Sequence, residues 1–160
     1  MNNFKKKLSI IIPVYNEKKT IEKLLKKINE LKNINKQIIV VNDGSSDGTK
    51  QILEENKIFY SILINHKKNL GKGAAIQSAQ KLVMGDVVLI QDADLEYDPR
   101  DYYKMLSLIN KKNKVIYGSR VLGKKRYLSK NFTSLIRIFF NHILTFISNI
   151  LNNQNLTDAH

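Results

Sequence analysis

The segment Leu8-Ser9-Ile10-Ile11-Ile12-Pro13-Val14-Tyr15-Asn16-Glu17 decides the fold class, because a continuous apolar run ends abruptly in polar residues. A short apolar run rich in β-branched residues is typical of a strand buried on both faces. The residues that follow place an apolar stripe on one face of a helix: Ile21, Leu24, Leu25, Ile28 and Leu31. The chain therefore opens as a strand followed by an amphipathic helix.

This alternation continues along the chain. Further strands are predicted at Gln37–Val41, Phe59–Ile64, Val87–Ile90 and Lys114–Tyr117, and further helices at Gly73–Met84 and Asp98–Ile109. Continuous apolar strands separated by helices predict an α/β, Rossmann-like fold with a mostly parallel sheet and helices on both faces. We expect one domain over residues 1–160.

Each predicted strand is followed by a polar cluster. The clusters are Tyr15–Glu17, Asn42–Gly48, His66–Gly73, Asp92–Glu96 and Gly118–Arg120. In an open parallel sheet, ligands bind beyond the carboxyl ends of the strands. Polar loops are common at strand ends, but five such clusters together predict one composite site at a single edge of the sheet.

The composition of the chain limits the kinds of ligand and metal site that it can have. The 160-residue chain has no cysteine and a formal net charge of +13. Disulfides and thiolate metal sites are therefore excluded, whereas polyanionic ligands or anionic lipid are favoured, unless the lysines only form solvated helix faces. A nucleic-acid-binding module would be expected to cluster basic and aromatic residues on one surface, but these lysines are scattered. No stretch of 18 uncharged apolar residues indicates a membrane span.

The motif Asp92-Ala93-Asp94 follows the apolar run Val87–Ile90. In extended chain, residues two apart point to the same face, so Asp92, Asp94 and possibly Glu96 would crowd their carboxylates together. Oxygen ligands without His or Cys favour Mg²⁺ or Mn²⁺. The alternative is an acidic surface turn; the setting after a buried strand favours a metal site.

Three other clusters carry candidate ligands. Asp43 could accept hydrogen bonds from a base or ribose, and Asp47 could cap the following helix. Lys72, in a glycine-rich helix entry, could attract phosphate. Arg120 could bind a phosphate in bidentate fashion. Each also has a plain structural reading, as a capped loop, a tight glycine turn or a surface arginine.

Residues 132–152 form a distinctive segment. A narrow polar stripe that includes Arg137 runs at helical spacing through an otherwise apolar sequence. Such a helix could pack on the domain, lie in a membrane interface, or join two subunits. The sequence leaves these three readings open.

The series Ser9–Glu17, Val41–Thr49, Asn69–Gly73 and Asp92–Asp94 resembles family 2 glycosyltransferases of the GT-A fold. The stretch Asp92–Pro99, followed by Tyr117–Arg120, is most similar to dolichyl- or polyprenyl-phosphate mannosyl- and glucosyltransferases. The resemblance implies transfer of a hexose, with inversion, from a nucleoside-diphosphate sugar of the GDP-mannose or UDP-glucose type. The implied acceptor is a polyprenyl phosphate, and the implied location is peripheral, at the cytoplasmic face of a membrane.

The resemblance also implies roles for individual residues. Pro13, Tyr15, Glu17 and Asp43 would contact the nucleoside, and the Asp92-Ala93-Asp94 motif and Lys72 would line the rest of the donor site. The expected catalytic residues are Asp92 and Asp94. Asp94 would hold the metal with Glu96, and Asp92 would approach the ribose or the metal. Arg120 would face the donor or the acceptor phosphate, and Arg137 would join it if the phosphate is that of the acceptor.

The chain departs from the family pattern at two places. Asn42 replaces a frequent Asp, and the Thr157-Asp158 pair of a longer family motif is followed by only two residues. We therefore expect a C-terminally truncated fold. A saccharide hydroxyl as acceptor, or a fragment that only binds the nucleotide-sugar, stay open as alternatives. A sugar-1-phosphate nucleotidyltransferase would usually carry a glycine-rich loop with arginine after its first strand, which Pro13–Glu17 is not.

Overall fold

A computed structural model describes residues 4–118, residue 143 and residues 145–150, with side chains from Lys6 onward. The described chain divides into two compact units, with the boundary between Ser107 and Leu108. The first unit contains the helices and strands that are bounded below, except that the last helix ends at Leu108, one residue past the boundary. The expectation of one domain over residues 1–160 stays a prediction.

The first unit alternates strands and helices in the predicted order. Its strands are β1 (Phe4–Val14), β2 (Ile34–Asn42), β3 (Ile62–Asn65) and β4 (Val87–Ile90). Its α-helices are α1 (Ile21–Glu30), α2 (Thr49–Glu55), α3 (Lys72–Gln80) and α4 (Tyr102–Leu108). Two 3₁₀ helices, at Lys57–Phe59 and Pro99–Asp101, precede β3 and α4. The α/β prediction is confirmed.

The four strands form a parallel sheet in the order β3-β2-β1-β4. From β1 to β3 the chain moves one way across the sheet, and then it returns to the far side of β1 as β4. Right-handed crossovers then place α1 and α2 on one face and α3 on the other. The strand order therefore reverses between β1 and β4, which leaves a crevice between the loops that follow these two strands. Sheets of this kind bind ligands in that crevice, at the carboxyl ends of the strands.

The central strands β1 and β2 are buried on both faces, whereas Val88 and Ile90 of the edge strand β4 are each 50% exposed. On one face, α3 presents Ala75 and Ala79 to Ile11, Ile39 and Val41. Alanine at these two positions lets the helix lie close to the strands. On the opposite face, residues that alternate with these are equally buried, namely Ile10, Ile12, Ile38 and Val40. Complete burial of each such side chain contributes about 1.5–3 kcal/mol, so the core holds the loops above it firmly.

A buried polar network fixes the start of β4. The Ser9 hydroxyl donates to Gln37 Oε1 at 2.6 Å, and Gln37 Oε1 also accepts from the Met84 amide. The Gly85 amide donates to Ser9 Oγ at 2.8 Å. A Cβ on Gly85 would lie 2.5 Å from the Ser9 nitrogen, so only glycine allows this approach. The network sets where β4 enters the sheet and therefore where it ends.

The predicted fifth strand, Lys114–Tyr117, is wrong. These residues have no regular secondary structure, and Val115 and Tyr117 are 67% and 65% exposed. A β-branched run gives only a tendency, because a strand also needs a neighbouring edge to pair its backbone groups. The third strand begins at Ile62 instead of Phe59, because a 3₁₀ helix occupies Lys57–Phe59.

The helix predicted over residues 132–152 falls mostly outside the described residues. Ile143 and residues 145–150 are helical, and Phe146 and Ile150 are exposed. None of the helices in the described ranges combines the length and the apolar character required to cross a bilayer.

Candidate functional site

The loop after β1 is tied to the loop after β2. The Asn16 amide donates to Ser45 Oγ at 3.0 Å, and Asn16 Oδ1 accepts from the Ser46 amide at 2.9 Å. Asn16 has a positive φ of 55°, a conformation that asparagine tolerates better than most residues. The Asp43 amide completes the connection by donating to the Val14 carbonyl at 2.8 Å. These bonds fix the two strand ends relative to each other.

The sequence suggests Asp47 as the cap of α2, but the N-cap residue is Gly48, and Asp47 lies one residue before it. Asp47 Oδ1 accepts from the Thr49 amide at 3.0 Å, and its Oδ2 accepts from the Lys18 amide at 3.1 Å. Burial alone would raise the pKa of Asp47, but hydrogen bonds from Thr49 and Lys18 outweigh it and hold the pKa below its ordinary value. Thr49 Oγ1 in turn accepts from the Glu17 amide at 2.9 Å, so this network also positions the start of the β1–α1 loop.

Asp43 is buried and is the centre of a hydrogen-bond network. Its Oδ1 lies 2.6 Å from His66 Nδ1 and accepts from the Leu70 amide at 3.0 Å. Its Oδ2 accepts from the Gly71 amide at 2.8 Å. Burial alone would raise the pKa of Asp43, but these donors outweigh it and hold the pKa below its ordinary value. The side chain expected to meet a nucleoside therefore also holds the turn before α3.

His66 connects this carboxylate to α3. Its Nε2 lies 2.9 Å from Ser78 Oγ, and its side chain is 9% exposed. Gly44 brings the same loops together, because its φ is 69° and a Cβ there would lie 2.4 Å from the Lys68 carbonyl carbon. Asn42, where the family often has Asp, donates from Nδ2 to Asn65 Oδ1 at 2.8 Å. An ionised aspartate could not make that donation.

The Asp92-Ala93-Asp94 motif follows the end of β4 after one residue, Gln91. Asp92 Oδ1 lies 2.6 Å from the ammonium nitrogen of Lys72, which is the first residue of α3. Asp94 is exposed, and its Oδ1 accepts from the Glu96 amide at 2.9 Å. Ala93 is buried at 3% exposure, which holds the loop against the domain. The structure therefore brings Lys72 and Asp92 together, as expected for parts of one site.

A buried pair beneath this motif was missed by the sequence analysis. The Tyr102 hydroxyl donates to Gln91 Oε1 at 2.8 Å, and Gln91 Nε2 donates to the Asp92 carbonyl at 2.9 Å. Burial raises the pKa of Tyr102, so its hydroxyl keeps its proton and remains a donor. A polar glutamine at the end of an apolar strand was the available signal. The pair fixes the backbone from which Asp92 projects.

The acidic loop alone supplies only some of the ligands that a divalent ion needs. Asp92, Asp94 and Glu96 supply oxygen ligands, the type preferred by Mg²⁺ and Mn²⁺. Within the described residues, however, no three His, Cys, Asp or Glu side chains converge closely enough to hold a metal ion. Magnesium usually takes one or two protein carboxylates and completes its shell with water and substrate phosphates. The donor set is therefore compatible with a metal that the substrate helps to bind.

The remaining predicted residues lie as follows. Pro13 is half-buried near the end of β1, and Tyr15 is 47% exposed just beyond it. Glu17 is half-buried, and its Oε2 accepts from the Thr20 hydroxyl. Arg120 and Arg137 lie outside the described residues.

Comparison with known proteins identifies the family. A model of the family described as Glycosyl transferase family 2 matches residues 9–160. The chain therefore belongs to the family 2 glycosyltransferases. The α/β sheet agrees, because the solved structures that it resembles are glycosyltransferases of the GT-A fold.

Two curated relatives within this family are similar to the chain in sequence. A dolichyl-phosphate beta-glucosyltransferase of Trichomonas vaginalis is 35% identical over 89% of this chain and 49% of its own length. A dolichol-phosphate mannosyltransferase of Pyrococcus furiosus is 35% identical over 71% of this chain and 33% of its own. The chain thus spans about half, or less, of the length of these curated relatives.

One solved structure is similar in both fold and sequence. A mannosyltransferase from Pyrobaculum calidifontis, in complex with GDP-Man and Mn²⁺, has a TM-score of 0.52 and 29% identity. The match covers 56% of this chain and 28% of that one.

Proposed function

We propose that this chain is the nucleotide-sugar-binding part of an enzyme that transfers a hexose to a polyprenyl or dolichyl phosphate, with inversion. The donor is a nucleoside-diphosphate sugar of the GDP-mannose or UDP-glucose type. Curated relatives named for dolichyl-phosphate transfer, and a solved neighbour holding GDP-Man and Mn²⁺, support this class. Residues 1–160 are proposed to act as one catalytic domain.

The Lys72–Asp92 pair at the carboxyl end of β4 carries the proposal. It joins the first residue of α3 to the loop that follows the strand, beside the point where the strand order reverses. Ligands of open α/β sheets bind at this position. A cationic side chain, the amino end of a helix and two aspartates there suit a diphosphate with its counterion.

The nucleoside is proposed to bind on the β1–β2 side of this site. Pro13 and Tyr15 extend β1, Glu17 follows on the loop that is tied to α2, and Asp43 lies at the end of β2. Asp43 already accepts three hydrogen bonds from the protein, so a base or ribose would bind to a carboxylate that is already oriented. Such preorganisation lowers the entropic cost of binding.

Asp92 and Asp94 would hold Mg²⁺ or Mn²⁺ with the diphosphate, and Glu96 would complete the ligand set. When bound, the ion would neutralise the negative charge that develops on the leaving diphosphate. Lys72 and Ala93 complete the donor side, with the ammonium group close enough to Asp92 to reach a phosphate placed there. The catalytic residues of this proposal are Asp92 and Asp94.

A phosphate acceptor explains why no general base is needed. The second pKa of a phosphomonoester is about 6, so the acceptor is largely a dianion at neutral pH and attacks without losing a proton. A sugar hydroxyl would instead require a positioned base. Arg120 and Arg137 are proposed to bind the acceptor phosphate. Residues 132–152 are proposed as an interface helix that keeps the enzyme at the cytoplasmic face of a membrane.

The experiment compares Asp94→Ala with Asp101→Ala, another exposed aspartate seven residues further along. Thermal shifts are measured with GDP-mannose and UDP-glucose, each with and without Mn²⁺, since a ligand that binds only the folded form raises the melting temperature. Transfer of radiolabelled sugar to a polyprenyl phosphate, or to an oligosaccharide, is then measured for each protein.

We expect Asp94→Ala to keep its melting temperature without ligand, lose the Mn²⁺-dependent shift, and transfer at least about 100-fold more slowly, an effect of the size expected for loss of metal catalysis. Asp101→Ala should behave like the original chain. Transfer at an unchanged rate by Asp94→Ala would refute the metal role. Transfer to the oligosaccharide alone would show that the acceptor is a saccharide hydroxyl and not a lipid phosphate. A donor-induced shift in melting temperature without transfer to either acceptor would show that the chain only binds the nucleotide-sugar.

A further inference from the structure

We propose that Lys72 is an exchangeable counter-cation for Asp92, which holds the carboxylate until a nucleoside diphosphate draws the ammonium group away and leaves Asp92 to the metal. The inference rests on the proposed function, because it assigns the metal to Asp92 and Asp94. It adds a role for Lys72 before the substrate is bound. Lys72 would thereby make tight metal binding depend on the presence of the nucleotide.

The position of Lys72 is fixed by its neighbours in the sequence. The Leu70 and Gly71 amides both donate to the buried Asp43 carboxylate, at 3.0 and 2.8 Å. Gly71 has a positive φ of 90°, which turns the chain sharply into α3. The backbone is therefore anchored one residue before Lys72, and the lysine side chain alone has to move for Asp92 to be released.

Lys72 occupies the first position of α3, where a positively charged side chain is unfavourable. The amino end of a helix carries partial positive charge, so a lysine there is electrostatically unfavourable. The first turn of α3 contains no acidic residue to offset it. Asp92, 20 positions along the chain, supplies the compensating charge at 2.6 Å. A cation maintained at this end of a helix is well placed to meet a phosphate.

The pair is accessible enough to exchange partners. The Lys72 side chain is 56% exposed and that of Asp92 is 33% exposed. Exposed ion pairs are weak, so a divalent ion or a diphosphate can displace one member. Metal binding to the free protein must first displace the ammonium group. After a diphosphate has attracted Lys72, this competition no longer exists.

The exposure of the Lys72–Asp92 pair determines how much the affinity for Mn²⁺ should change when the Lys72 charge is removed. Ion pairs of this kind contribute up to about 1 kcal/mol, which corresponds to about fivefold in a binding constant. Removing the Lys72 charge should therefore strengthen the binding of Mn²⁺ alone by about two- to fivefold. Removing any lysine from a basic chain also raises cation affinity slightly, so a control with the same loss of charge is needed.

Lys72→Met and Lys50→Met provide that comparison. Lys50 lies on α2 and is similarly exposed at 58%, with Glu54 as its partner at 3.8 Å. Binding of Mn²⁺ in the absence of nucleotide is measured on the full chain by the loss of the electron paramagnetic resonance signal of the free ion. Asp94→Ala and the double variant Lys72→Met/Asp92→Asn are titrated in the same way.

Lys72→Met should bind Mn²⁺ two- to fivefold more tightly than the original chain and Lys50→Met, and the gain should vanish when Asp92→Asn is added. Equal affinity of Lys72→Met and Lys50→Met, with weaker binding by Asp94→Ala, would overturn this inference and leave the proposed metal site intact. Affinities that do not change with Asp94→Ala, or no binding by any variant, would overturn both.

Discussion

Replacing Asp43 by asparagine tests whether this carboxylate builds the candidate site as well as lining it. Asparagine keeps the size of the side chain but turns one oxygen into a donor. The smaller loss occurs when the new amide group takes the place of Oδ2, because Oδ1 then keeps its bonds to His66 and to the Leu70 amide. The Gly71 amide would then face another donor and lose one of its two acceptors, keeping Asn69 Oδ1 at 2.9 Å.

The magnitude follows from these contacts. A hydrogen bond to a charged group contributes about 1.5–3 kcal/mol and a neutral one about 0.5–1.5 kcal/mol, so the substitution removes one charged bond and weakens two. Relief from burying a charge offsets part of this. We expect the free energy of unfolding to fall by about 1–3 kcal/mol, which lowers the melting temperature by about 2–12 °C in a chain of this size.

The assay is urea unfolding of Asp43→Asn beside Asp101→Asn, an exposed aspartate that serves as the control. A double variant, Asp43→Asn with His66→Gln, should show non-additive losses, since the two side chains lie 2.6 Å apart. Equal stability of Asp43→Asn and Asp101→Asn, or strict additivity with His66→Gln, would refute the anchoring role.

Two further predictions concern the loops around the site. Hydrogen bonds hold the pKa values of Asp43 and Asp47 below their ordinary values, and the Arg100 side chain and amide do the same for the pKa of Asp98. The stabilising contribution of these carboxylates is therefore complete above about pH 5 and is lost as pH falls through about 4 and below. Urea unfolding at pH 3 and pH 6 should show that loss, reduced in Asp43→Asn, and an equal pH dependence of both proteins would contradict it. Gly44→Ala should destabilise the fold by at least about 1–3 kcal/mol, because of the positive φ and a backbone contact at 2.4 Å. Gly73→Ala, where a Cβ meets nothing within 4 Å, should be neutral or slightly stabilising, and equal effects of the two would contradict the steric argument.

The sequence predicted those features that depend on local pattern. The bounds of β4 agree with the predicted Val87–Ile90, because this short apolar run is followed at once by polar residues. The capping role predicted for Asp47 is displaced by one residue, because Gly48 is the N-cap and Asp47 binds the first amide of α2 from the position before it. The strand predicted at Lys114–Tyr117 was wrong, because pairing requires an edge that no local pattern reveals.

Contacts between residues that are far apart in the chain could not be predicted from the sequence. The resemblance implied a nucleoside contact for Asp43, but not its bond to His66, which lies 23 positions away. The Gln91–Tyr102 pair was missed because a glutamine at a strand end looks like another loop residue. The Lys72–Asp92 pair joins residues that were each predicted for the site, but their direct contact depends on how α3 is anchored.

The three aspartates of the site are available to a ligand to different degrees, and this difference orders the expected effects of substitution. Asp43 is 3% exposed and accepts three bonds from the protein, so a ligand would add to its contacts without replacing them. Asp92 has one exchangeable cation, and exposed Asp94 accepts one backbone bond. Substituting Asp43 should therefore reduce stability and ligand binding together, whereas substituting Asp94 should reduce ligand binding and leave stability unchanged. Asp92 should lie between them, because losing its carboxylate leaves Lys72 beside the positive end of α3 without its counterion.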